Sequence, residues 1–252
     1  MTTPKRRSTT PQNASFSYSD FDTAKRRLLE TIPKAPFYAL ITGPSGTGKT
    51  SLLGEVTSSL DRHRFAVYYL AQSRLSTWGV ARFLCEELHL TPRRSHTQTL
   101  SAMSEAIREL PFRVLLFVDE ASLLSQETLQ EIRLLAESEL NAPPLFSVVF
   151  AGLPELKAKL ESPALFPLRR RLSLRLELNG LRSEEVAPFL TDRLREPQAS
   201  RFSAEALAVL FERSRGIPAV LESFAWLCLE HAAEGQALDV AAVTDILDAS
   251  DL

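Results

Sequence analysis

The sequence has 252 residues, 44% hydrophobic and 24% charged, with a formal net charge of −2; this is ordinary globular usage in a chain long enough to bury a sizeable core. No apolar run approaches the roughly 18 residues of a membrane span, and the basic N-terminus (Lys5, Arg6, Arg7) lacks the apolar stretch of a signal peptide, so no membrane contact and a cytoplasmic location are expected. Cys85 and Cys228 lie far apart among apolar neighbours, and His63, His89, His96 and His231 show no ligand spacing, which argues against a disulfide framework and a zinc module.

Residues 1–15 read as a disordered basic tail. Residues 20–32 have helical periodicity, and 37–42 form a short apolar run that stops at a glycine-rich turn. A buried strand feeding a loop is predicted there. The alternation continues with a helix from about residue 49, a strand over 65–71, helices over 77–88 and 98–110, and a strand over 113–119. A helix over 126–140 places Leu129, Ile132, Leu135 and Ala136 on one face, and strands follow over 145–151 and 173–178. Strands separated by helices imply a parallel sheet. From Ser183 onward the pattern is helical, with Ser183 and Ser203 near helix starts and Arg215-Gly216-Ile217-Pro218 as a break. The predicted organisation is a core over 16–178 and a small helical lid over 179–252. The lid segment carries 6 Arg and 13 Asp/Glu, a charge of −7, against +5 for the remainder. A basic core is compatible with a nucleic-acid surface, though scattered solvated charges give the same count.

Gly43-Pro44-Ser45-Gly46-Thr47-Gly48-Lys49-Thr50 satisfies G-x-x-x-x-G-K-[ST] directly after an apolar strand and directly before an amphipathic helix. The glycines let consecutive N–H groups point at phosphate oxygens, and the following helix adds its positive dipole end. Lys49 supplies charge at the β- and γ-phosphates, Thr50 offers a hydroxyl to Mg²⁺, and the binding segment runs on to Ser51. ATP and Mg²⁺ are the expected ligands. The strand 114–118 then delivers Asp119 and Glu120 at its C-terminal end. Asp119 is placed to hold Mg²⁺ through water, and Glu120 to polarise the attacking water.

A glutamate directly after the magnesium aspartate, two further strands and a helical lid together resemble the AAA+ ATPases. More narrowly, the run from Asp119 through Leu135, Ala151-Gly-Leu-Pro-Glu-Leu156, Leu168-Arg-Arg-Arg-Leu172 and Arg215-Gly-Ile-Pro218 are similar to the TnsC, TniB and ExeA group. The resemblance implies an α/β P-loop core with a parallel five-stranded sheet of order 5-1-4-3-2. It also implies a homo-oligomer, ring or helical filament, in which an arginine of one subunit meets the γ-phosphate held by its neighbour. By motif match that arginine is Arg171, with Arg169 and Arg170 as alternatives beside a purely basic surface turn.

Two positions depart from the pattern. Strand four ends Phe150-Ala-Gly-Leu153 without a polar sensor, and Ala219 stands where the group commonly has a lid arginine, with Arg215 the nearest alternative. Gln72, after the second strand, is a candidate partner for Glu120 or a plain capping amide. These departures predict slow, partner-dependent hydrolysis. The resemblance further implies a regulator of DNA transposition that binds double-stranded DNA through its backbone and recruits or activates a transposase, with a target-selection protein as a further partner. The DNA candidates are Arg74, Ser76, Thr77, Arg93 and Arg94. The missing membrane span and envelope-binding domain favour this over an ExeA-like secretion ATPase, and a nucleotide-gated switch with negligible turnover is the third reading.

Overall fold

The computed structural model describes residues 16–71, 77–91, 93, 95–137, 143–194 and 196–250. They group into two compact units, one formed by Lys25–Thr42 and Lys49–Glu177, the other by Gly43–Gly48 with residues 16–24 and 178–250. Residues 16–24 and Gly43–Gly48, which the sequence reading places in the core, thus cluster with the C-terminal helices.

The first unit is built on strands β1 (Tyr38–Thr42), β2 (Phe65–Leu70), β3 (Arg113–Val118), β4 (Ser147–Gly152) and β5 (Leu172–Glu177). They form one parallel sheet of order β2-β3-β4-β1-β5, which is the expected order 5-1-4-3-2 seen from the other edge. A parallel sheet is covered on both faces, so its inner strands need apolar side chains at successive positions. β1 (YALIT) and β4 (SVVFAG) are buried along their whole length.

On one face, Leu40, Tyr68, Leu116, Val118 and Phe150 join a single core with Val80 and Leu84 of α3 (Thr77–Glu87) and Leu129 and Ile132 of α5 (Gln126–Ala136). The alternate residues Ile41, Leu115, Phe117, Val149 and Ala151 are equally buried, and α2 (Lys49–Ser59), with Leu52, Leu53 and Val56 inside, packs on β4. β5 is an edge strand and alternates instead, with Leu174 and Leu176 buried between exposed neighbours.

Local chemistry sets the helix ends. Ser95 caps α4 (His96–Glu109) and Ser125 caps α5, each by accepting a backbone N–H in the first turn. The sequence pattern carries α5 to residue 140, whereas the helix ends at Ala136, and 138–142 lie outside the described residues. Two short helices, α6 (Glu155–Leu160) and α7 (Phe166–Arg171), complete the unit. α1 (Ser19–Thr31) begins in the second unit and ends in the first.

In the second unit, α9 (Ala204–Ser214), α10 (Pro218–His231) and α11 (Val240–Ala249) pack on one another, with α8 (Val186–Leu194) against α9 and α10. Ser203 caps α9, whose end turns through Arg215 (φ 53°) and Gly216 (φ 69°) before Pro218 opens α10. The segment before α1 is tied to this unit by an edge-on Phe16–Phe189 ring contact at 5.2 Å and by Ser19, whose backbone N–H donates to Glu185 Oε1 at 2.7 Å. Arg182 N–H donates to the other carboxylate oxygen at 2.8 Å. Burial opposes the charge on Glu185, but these donors and the Ser19 hydroxyl hold its pKa below the usual glutamate value.

A depressed carboxylate pKa stabilises the fold above the unfolded value of about 4.3 and loses that contribution as pH falls through the lowered folded value. Glu185→Ala should therefore speed proteolysis near residues 16–19 at pH 7 and erase its pH dependence between about 5 and 3, as read by peptide mapping of the time course. Phe117→Ala, at a side chain with 0% exposure, should cost about 3–5 kcal/mol in urea unfolding.

Candidate functional site

β3 leaves the sheet at Val118 and presents Asp119, a carboxylate only 7% exposed. Its backbone N–H continues the ladder to Leu70 O at 2.9 Å, which fixes the residue against β2. Oδ2 accepts from Thr50 Oγ1 at 2.6 Å and from the Tyr69 hydroxyl; Oδ1 accepts the Glu120 N–H at 2.9 Å. Thr50 stands in the first turn of α2, next to Lys49. Burial lowers the Lys49 pKa, and the Asp119 carboxylate partly restores it. Burial also raises the Tyr69 phenol well above its ordinary value, with the hydrogen bond to Asp119 adding to the effect, so the phenol stays a protonated donor.

Glu120 is exposed and holds a left-handed backbone (φ 50°, ψ 31°), a conformation that costs a residue with a Cβ about 1–2 kcal/mol. It opens a 3-10 turn, Ala121–Leu123, that is pinned from α6: Lys159 Nζ donates to Ser122 O and, at 2.8 Å, to Leu124 O. The Ser122 hydroxyl in turn accepts the Leu153 N–H at 3.1 Å. The tip of β4, which has no polar side chain of its own after Gly152, is thus bonded to the turn that follows the acids.

Within the second unit, the segment Gly43–Gly48 is close to other backbone. A Cβ at Gly43 would lie 2.3 Å from Leu178 O. Gly46 takes φ 84°, and a Cβ there would lie 2.9 Å from Ala219 Cβ. The Ala219 N–H, in the first turn of α10, donates to Gly46 O at 3.3 Å. Ala219, in the position where the resemblance leads one to expect an arginine, therefore touches the loop itself. Thr47 is fully buried, its carbonyl accepting from Tyr18 Oη at 2.6 Å and its hydroxyl donating to Pro44 O at 3.0 Å. Ser45 is exposed, Ser51 is half-buried in α2, and Arg215 is exposed at the end of α9.

The three arginines differ in their partners. Arg171 Nε pairs with Glu137 Oε1 at 3.0 Å, and Glu137 also binds Arg133 at 2.6 Å and lies within 3.5 Å of Tyr38 Oη. Arg169 pairs with Glu161 and lies over the Phe166 ring. Arg170 is exposed with its guanidinium 5.7 Å from the centroid of that ring. Among the DNA candidates, Arg93 is exposed and its N–H donates to Thr99 Oγ1, and Thr77 opens α3. Arg74, Ser76 and Arg94, and also Gln72, lie outside the described residues.

The residues that the sequence reading assigns to Mg²⁺ fit it. The ion takes hard oxygen donors and keeps several waters, and the Thr50 hydroxyl and the Asp119 carboxylate are two such donors already in contact. Tyr69 and Lys159 belong to no motif, and Ser122, though inside the run that starts at Asp119, has no role assigned by the sequence reading. A phenol one residue before a strand end that pairs in parallel with the strand carrying the acids was the one available signal, and only for Tyr69.

Residues 37–160 match the family model described as an AAA domain. The chain is 29% identical over 193 residues to General secretion pathway protein A of Aeromonas hydrophila, a match that covers 73% of this chain. The chain spans 35% of the length of that curated relative. Among solved structures, the Aeropyrum pernix ORC1 protein in complex with DNA superposes with a TM-score of 0.61 at 17% identity, covering 91% of this chain and 65% of that one. The Walker-type ATPase PABY2304 of Pyrococcus abyssi gives 0.59 at 17% identity, with 92% and 72% covered. The fold is that of the AAA+ P-loop proteins.

Gly46→Val sets a branched side chain at positive φ against Ala219. It should weaken binding of a fluorescent ATP analogue at least tenfold, measured by anisotropy, while the circular dichroism of the sheet unit stays unchanged.

Proposed function

We propose that this protein is a magnesium-dependent ATPase that acts as an assembled switch. The observation supporting it is the 2.6 Å bond between Thr50 and Asp119, which joins the end of a phosphate-loop motif to the strand-end acid. Gly43–Gly48 offers backbone N–H groups to the phosphates, and Lys49 and Thr50 follow at the head of α2, where the helix dipole favours an anion. Bound Mg²⁺ would neutralise charge that develops on the phosphates. Glu120, exposed and turned out of the strand line, orients the attacking water and accepts its proton. Arg171, or a neighbour in the same run, completes the charge shell of an adjacent subunit's nucleotide.

Hydrolysis on this reading is slow, because Leu153 and Ala219 stand at the sequence positions where the resembled group carries polar sensors. ATP then holds the assembly and turnover dissolves it. The finer reading is a regulator of DNA transposition that assembles on duplex DNA. It is supported by the motif runs from Asp119, Ala151, Leu168 and Arg215, by the exposed Arg93, and by the likeness to a fold relative bound to DNA. A second reading, a secretion-related ATPase, is favoured by the 29% identity to General secretion pathway protein A.

Lys49→Ala should abolish nucleotide binding. Glu120→Gln should keep it while lowering phosphate release by roughly 100-fold or more, and undiminished release would remove Glu120 from the mechanism. Light scattering and negative-stain microscopy with a slowly hydrolysed ATP analogue, with and without duplex DNA, separate the two finer readings. Arrays on DNA that weaken as salt rises are the expected outcome. Nucleotide binding that ignores DNA at low salt would leave the secretion reading.

A further inference from the structure

Tyr69 is the member of the carboxylate cluster that belongs to no motif. It lies on β2 opposite Phe117, one residue before the strand ends. Its ring is 37% exposed, yet its hydroxyl points to the buried Asp119. A tyrosine that served only to cover the sheet would leave its hydroxyl in water, where a half-exposed phenol is well solvated.

Each carboxylate oxygen has two acceptor positions. Oδ2 of Asp119 accepts from both Thr50 and Tyr69 and is therefore full. Oδ1 accepts, among the described residues, only from Glu120 N–H, and so keeps one position. We propose that Tyr69 is the positioning residue for the magnesium ion of this site: by closing Oδ2 together with Thr50, it leaves Oδ1 as the single acceptor for a metal-bound water. The inference rests on the reading of Thr50 and Asp119 as the magnesium pair.

The physical consequence concerns the metal, not the phosphates. With the phenol in place the carboxylate plane is pinned on both sides, by Tyr69 and Thr50 at one oxygen and by the backbone at the other. Without it, Oδ2 regains an acceptor position, the group can rotate, and the water that bridges to the ion is shared between two oxygens or lost to solvent. Outer-sphere partners of this kind change metal affinity by about 10–100-fold. Within the motif the phenol meets only the Thr50 hydroxyl, beside the shared Asp119 oxygen, and none of the phosphate-facing backbone N–H groups among the contacts described, so nucleotide binding without metal should stay the same.

The test is binding of a fluorescent ATP analogue, followed by anisotropy, over a series of free Mg²⁺ concentrations starting from EDTA, for the unaltered chain, Tyr69→Phe and Asp119→Asn. Tyr69→Phe should keep its EDTA affinity and need roughly tenfold more Mg²⁺ for the half-maximal gain. A Mg²⁺ curve that superimposes on that of the unaltered chain overturns the proposal, as does a loss already present in EDTA, which would mark a structural role. A curve shifted to lower Mg²⁺ also overturns it, since the phenol would then be competing with the ion. If the unaltered chain gains nothing from Mg²⁺, the metal pair and the proposal fall together. If Asp119→Asn loses the gain while Tyr69→Phe retains it, the pair stands and the proposal alone fails.

Discussion

The hydrogen bond between Thr50 and Asp119 joins residues from two strand-to-helix connections whose strands, β1 and β3, do not touch in the sheet. β4 lies between them, paired with both, and Phe150 is in register with Leu40 on one side and Val118 on the other. A slip of β4 by one residue would invert its side chains and shift the strand ends that carry the two partners. The bond therefore reports that the sheet has closed in the right order. Parallel order demands crossover helices, and each crossover here delivers its next strand from the same end. All the strand-end chemistry collects at one edge of the first unit as a result.

The same edge contains Glu120, which with His89 is one of the two left-handed non-glycine residues among the described residues of that unit. The Asp119 N–H is consumed by the ladder and the Glu120 N–H by the carboxylate of the residue before it, so the chain leaves the strand through a left-handed residue. Lys159 then holds the following turn by two carbonyls, and Ser122 carries that constraint to the tip of β4. A conformation that costs energy locally persists only where neighbours over-determine it, and the α6 lysine is that neighbour. The direction of the Glu120 side chain is thus linked to a helix that contains none of the residues read as reacting groups.

Much of this was legible beforehand, for reasons that differ by residue. Gly43–Thr50 could be read because phosphate binding demands glycine, lysine and a hydroxyl at fixed spacing. The inner strands could be read because burial on two faces leaves apolar runs. Helix ends were less accurate: α5 stops at Ala136 although its apolar face repeats beyond, because Glu137 leaves helical geometry and turns its side chain to Arg133, Arg171 and Tyr38. Tyr69, Ser122 and Lys159 were hidden because each acts through a contact across strands or helices that no local spacing encodes. The grouping of residues 16–24 with the C-terminal helices was hidden likewise, since it depends on Ser19 meeting Glu185 across 166 positions.

Glu137 has a consequence of its own. It is only 11% exposed and binds two guanidinium groups and a phenol, whereas Arg171 is 51% exposed. If Arg171 swings away, Arg133 still pairs with Glu137 Oε2, and the half-exposed guanidinium of Arg171 regains water in exchange for Oε1. The arginine is parked rather than locked. A stronger anion presented from outside could exchange for Glu137 at little cost, and the vacated carboxylate would recover its arginine as soon as that anion left.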